Sequence, residues 1–114
     1  MNIAESREGA VLIVSPEGRL DAQAAPELQT RVVERLDGGA KLLLLDLEKI
    51  EYISSAGLRV ILVAAKKLKA LDGRIVVCSL AEGVQEVFRV SGFDSIVETT
   101  ESRTAGLAAL AVVP

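Results

Sequence analysis

An α/β fold is predicted for this chain: a mixed central β-sheet of about four to five strands packed with about four helices. Three observations carry that prediction. Apolar runs of strand length lead the chain, then alternate with segments whose apolar residues recur every three to four positions. Leu42 to Leu45 is all leucine and continues through Asp46 to Leu47, as expected of a central strand covered on both faces. The connections are a few residues long, which suits crossovers within one domain spanning 1–114.

Asn2 to Arg7 reads as a first strand, turned by Glu8-Gly9 into the apolar run Val11 to Val14. Ser15-Pro16-Glu17-Gly18 signals a turn, and Arg19-Leu20 continues extended toward Asp21. Pro26 suits the first turn of a helix, with Ala24 or Ala25 just outside it, because that position needs no N–H. Leu28, Val32 and Leu36 recur along this helix at four-residue spacing, and Gly38-Gly39 ends it. The leucine strand, Lys41 to Leu47, follows. A helix from Leu58 to Leu71 then places Leu58, Ile61, Leu62, Ala65 and Leu68 on one stripe, with Arg59, Lys66, Lys67 and Lys69 solvated. Gly73 stops it, and Arg74 to Ser79 is a strand. Ala81 to Val90 is a shorter amphipathic helix built on Val84, Val87 and Phe88, closed by Ser91-Gly92. Ile96 to Thr99 reads as a last strand, and Ser102 to Val112 as an alanine-rich closing helix.

Composition removes several functions. A formal charge of −3 gives no field for attracting nucleic acid or an anionic membrane. The aromatic residues Tyr52, Phe88 and Phe93 are too few to line a stacking groove, so nucleic-acid binding is not expected. The core must come from Val, Leu, Ile and Ala. There is no histidine, which removes a Ser/His/Asp hydrolase and a Cys/His zinc site. Cys78 is the single cysteine; it excludes an internal disulfide and reads as a buried apolar filler of its strand. Neither a glycine-rich loop before Lys-Ser/Thr nor a Gly-x-Gly-x-x-Gly turn occurs. Asp21, Asp46 and Glu48 could serve acid–base work, but nothing in their spacing brings them together. A non-enzyme without cofactor or metal is expected. With Glu5 and Glu8 near the start and no run approaching about 20 apolar residues, a cytoplasmic protein without signal peptide or membrane span is expected.

The chemistry that remains lies in Tyr52-Ile53-Ser54-Ser55-Ala56-Gly57-Leu58, between the leucine strand and the longest helix. Serine oxygens there stand beside helical N–H groups that lack intrahelical partners. Ser54 or Ser55 can act as an N-cap, a contact worth ~1 kcal/mol. A capping box would need Glu or Gln three residues later, where Gly57 and Leu58 stand. The same position suits a bound anion or a phosphorylated serine.

Taken together, these segments resemble the STAS domain, and within it the bacterial anti-sigma factor antagonists. Gly18-Arg19-Leu20-Asp21-Ala22 with Ala25-Pro26-Glu27-Leu28 is similar to the family's Gly-x-Leu-Asp…Ala-Pro-x-Leu segment. Leu43 to Leu47 followed by Tyr52 to Leu58 is similar to its strand, loop and helix start. Gly73 with the next strand, and the short helix leading to Gly92-Phe93, fit the expected order. In the family the loop usually reads Asp-Ser-Ser/Thr-Gly-Leu, and a partner kinase phosphorylates the first hydroxyl after the Asp. By position, Ser54 stands where that Asp is common, Ser55 takes the phosphorylated place, and Ala56 replaces the second hydroxyl. The resemblance implies phosphorylation at Ser55, with Ser54 as second choice.

It also implies an anti-sigma factor that is a serine protein kinase as partner, and a PP2C-type serine phosphatase to reverse the mark. The docking face is expected to comprise Asp21, Ala22, Gln23, Tyr52, Ser54, Ser55, Ala56, Gly57, Leu58 and Arg59, on a monomer or weak dimer. Asp21 reads equally as a turn or cap residue before Pro26, and Asp46 as a strand-end residue satisfied by nearby N–H groups. Two other readings stand beside this one. A STAS sensor would hold a nucleotide or small anion at the same helix start without covalent change. A receiver-like acceptor at Asp46 would need an acidic pair after the first strand, which is absent.

Overall fold

A computed structural model describes residues 1–111, and its elements follow the predicted alternation. Strands β1 (Ile3–Glu8) and β2 (Val11–Pro16) form an antiparallel hairpin, with Ile3 opposite Pro16 and Glu8 opposite Val11. Gly9 has a φ of 58° in the connecting turn, a backbone state that glycine adopts without strain. The remaining elements are β3 (Gly18–Leu20), α1 (Ala25–Asp37), β4 (Leu42–Asp46), β5 (Ile50–Ile53), α2 (Ser55–Ala70), β6 (Arg74–Cys78), α3 (Glu82–Ser91), β7 (Glu98–Thr100) and α4 (Arg103–Ala111).

The main sheet runs β1-β2-β4-β6-β7, parallel except for the β1/β2 hairpin. Alternation along the strands divides the core in two. Leu12, Val14, Leu43, Leu45 and Val77 face α1, α2 and α3, meeting Leu28, Val32, Ile61, Leu68 and Phe88. Val11, Ile13, Leu44, Val76 and Cys78 face the other way and are covered by α4 through Leu110. The central leucines are therefore buried on both faces, as predicted, each contributing roughly 1.5–3 kcal/mol.

One strand was not foreseen. β5 pairs in parallel with β3 as a separate two-stranded sheet, where Leu20, Ile50 and Ile53 are buried while Glu51 and Tyr52 stay exposed. Four residues with a polar centre give too little alternation to be read as a strand. Other boundaries shift for local reasons. α2 begins at Ser55 instead of Leu58, because Ser54 caps it. β6 ends at Cys78, since Ser79 takes a φ of 62°. Ile96 and Val97 stay in a turn, both donating to the Phe93 carbonyl, so β7 starts at Glu98. The predicted end of the last helix, Val112, lies outside the described residues. On α2, Val60 and Ala64 are buried where Leu62 and Ala65 were expected to lead.

Two ion-pair systems tie outer elements to the sheet. Glu5 on the edge strand accepts from Arg35 Nε (2.7 Å) and Arg31 Nη1 (2.6 Å) of α1. Asp46, buried at the end of β4, accepts from the Glu48 N–H (3.0 Å) and from Arg103 Nε (3.0 Å) at the start of α4. The strand-end role expected of Asp46 is thus realised, with an arginine added. Beside it, burial pushes the Cys78 thiol up to about 11, which makes it an inert filler at neutral pH. No helix among the described residues is long and apolar enough to cross a membrane.

The hydrogen bond from Arg35, reinforced by Arg31, holds the Glu5 carboxyl below its ordinary value of 4.5. A depressed carboxylate stabilises the fold above its unfolded pKa, and that contribution is lost as pH falls through the folded value. Wild type should therefore exceed Glu5→Gln in urea-unfolding stability at pH 7. The gap should close as pH falls below about 4.5, the ordinary value the arginines depress. A pH-independent gap would contradict this account.

Candidate functional site

The site is built where the two small strands end. Parallel pairing of β3 with β5 sets Leu20 beside Ile53, so the Asp21 turn and the Ser54 turn leave the sheet together. The Leu20 carbonyl accepts twice from Ser54, from its N–H at 3.0 Å and from its hydroxyl at 3.3 Å. The Ser54 oxygen in turn accepts from the Gly57 N–H at 3.3 Å, closing the first turn of α2 as an N-cap. Both functions of the Ser54 hydroxyl are thereby used.

Gly57 is required by close approach. A Cβ there would lie 2.7 Å from the Leu20 carbonyl oxygen and 2.8 Å from side-chain carbons of Leu20 and Ile53. The absence of a side chain lets the start of α2 seat against β3. Ser55 differs from its neighbour. It is exposed at the first position of α2, and among the described residues its hydroxyl has no hydrogen-bond partner.

Asp21 shapes the adjoining turn: its Oδ1 accepts from the N–H groups of Gln23 (3.1 Å) and Ala24 (3.0 Å). Its turn role is therefore visible in the geometry. The structure brings Ala22, Ser55, Ala56 and Arg59 onto one open groove of about 650 Å³ between α1 and α2. Ala22, Ser55 and Arg59 are exposed along it; Gln23 and Tyr52 are exposed but do not line it, and Gly57 and Leu58 are buried. Asp46 belongs elsewhere, with Arg103.

Two features escaped the sequence. Gln29, Thr30, Val33 and Glu34 form the α1 wall of the groove; they lie off the Leu28/Val32/Leu36 stripe, which was the available signal. Arg19 stacks over the Tyr52 ring, 4.2 Å from its centroid, a contact created by the β3/β5 register. Nothing local announces that pair.

Comparison with known proteins decides the family. The family model described as the STAS domain matches residues 2–106. This chain belongs to the STAS domain family. The relative BtrV of Bordetella bronchiseptica, named as an anti-sigma factor antagonist, is 38% identical over 109 residues, covering 96% of this chain and 94% of BtrV. Among solved structures, a Thermotoga maritima protein assigned to the same class superposes with a TM-score of 0.91 at 23% identity, covering 95% of this chain and 93% of that one. The Bacillus protein SpoIIAA, solved in its phosphorylated form, gives 0.74 at 16% identity over 95% of this chain and 98% of its own. At these identities the structural matches establish the STAS fold, with its four helices and five-stranded mixed sheet.

Crowding at Gly57 sets a sharp test of the site. Gly57→Ala should destabilise the STAS fold by about 1–3 kcal/mol, because the contact is partly with backbone. Ser54→Ala, which loses only the cap, should lose ~1 kcal/mol. Guanidinium unfolding measures both, and an alanine at Gly57 that unfolds like wild type would refute the close-packed joint.

Proposed function

We propose that this STAS domain is a phosphorylation-controlled anti-sigma factor antagonist whose acceptor is Ser55. The observation that carries the reading is the division of labour between the two serines. Ser54 is consumed by the helix cap, while Ser55 stands exposed with an unpartnered hydroxyl on the rim of a groove. A kinase can reach one without dismantling the fold and not the other. The likeness to BtrV supports the class, and the phosphorylated SpoIIAA shares the fold.

In this reading the unmodified domain binds a cytoplasmic anti-sigma factor that is also a serine kinase, and so frees the sigma factor. The kinase supplies ATP and magnesium; this chain is its substrate and catalyses nothing. A PP2C-type phosphatase restores the free serine. The docking face comprises the exposed residues around Ser55: Ala22, Gln23, Tyr52 and Arg59, with Asp21 setting the turn.

Phosphate adds about −1.5 to −2 charges at the first turn of α2, where the helix dipole and free N–H groups favour an anion. The fold tolerates it. At a closely packed interface the same charge must be desolvated, and losing about 3 kcal/mol lowers affinity about 150-fold. A second reading, a sensor that binds a nucleotide or anion without covalent change, draws on the size of the groove.

Co-purification from the native cytoplasm with phosphosite mapping by mass spectrometry tests the proposal. A kinase-fold partner and phosphate on Ser55 are expected. Ser55→Asp should lose at least tenfold in affinity for that partner with unchanged circular-dichroism helicity; helicity and binding lost together would refute a docking switch. Calorimetric saturation by ATP or GTP in the absence of any partner would favour the sensor.

A further inference from the structure

We propose that Arg59 is the residue that reads the state of Ser55: unpaired while the serine is free, it closes onto the phosphate once the serine is modified. The inference rests on Ser55 being the acceptor and adds what the domain does with the mark. Ser55 and Arg59 are one helical turn apart on α2, and both line the groove against α1. Helical side chains slant toward the N-terminus, so an arginine covers the turn that precedes it. For Arg59 that turn begins at Ser55.

Its guanidinium is also uncommitted. Arg31 and Arg35 hold Glu5, Arg89 holds Glu86, Arg103 holds Asp46, and Arg19 lies over Tyr52. Among the described residues Arg59 takes part in no ion pair or hydrogen bond, and it is exposed. Glu34, the other charged residue of the groove, stands on α1 and is not bonded to it. A serine hydroxyl offers a guanidinium no charge, whereas a phosphomonoester offers paired acceptor oxygens that match its fork. Arg59 therefore has a strong local partner in one state only.

The consequence is a double change from one modification. The docking surface gains an anion and, in the same event, loses its free cation to an internal pair. A partner carboxylate that met Arg59 before modification then finds phosphate in front of it.

The test places phosphoserine at position 55 during synthesis, by genetic-code expansion, so that no kinase is needed. Titration followed by ³¹P NMR compares the Arg59 protein with Arg59→Gln and Arg59→Lys. With Arg59 the phosphate should bind its last proton about twofold more weakly than in the glutamine variant. Lysine should retain part of that difference, and about 1 M salt should shrink it. Equal titration midpoints for arginine and glutamine would overturn the inference. So would an arginine protein that titrates like a short unstructured phosphoserine peptide, a comparison that does not depend on the variants folding. Failure to find phosphate on Ser55 in cells would instead remove the regulatory reading and leave this titration result intact.

Discussion

The carbonyl oxygen of Leu20 holds the candidate site together. It accepts from the N–H and the hydroxyl of Ser54, and it lies only 2.7 Å from where a Cβ on Gly57 would be. Those contacts join the end of one small strand to the start of α2. They fix the direction in which the helix leaves, and hence where the next residue, Ser55, presents its hydroxyl. The site is a consequence of how closely two backbones approach.

A fully buried core lies beneath that joint. The leucines of β4 are buried on both faces, and α2 lies on the sheet through Ile61, Ala64 and Leu68. Close-packed interiors of this kind transmit strain instead of absorbing it. Ser55 itself is exposed at the helix start, outside that packed interior.

The two serines were indistinguishable as residue types. Either could cap a helix, and the missing Glu or Gln at the capping-box position did not separate them. The same was true of Asp21, whose turn role became visible only with its bonds to Gln23 and Ala24. The leucine strand, the stripe Leu28/Val32/Leu36 and the burial of Cys78 were legible because periodicity and apolarity report directly on burial. β5 was not, since a four-residue strand with Glu51 and Tyr52 at its centre exists by virtue of its partner β3. The groove and the Arg19–Tyr52 contact were hidden for the same reason.

The sequence by itself determined the layers, the order of strand and helix, and the family, and it singled out the seven-residue stretch from Tyr52 to Leu58. These depend on repeating local patterns and short-range turn chemistry, which one dimension records. Only the tertiary structure decided which hydroxyl is spent inside the fold and which faces solvent. Thirty-four positions separate Leu20 from Ser54 along the chain. A hydrogen bond across that separation leaves no periodic trace, because it is set by strand register and by the space a glycine leaves open.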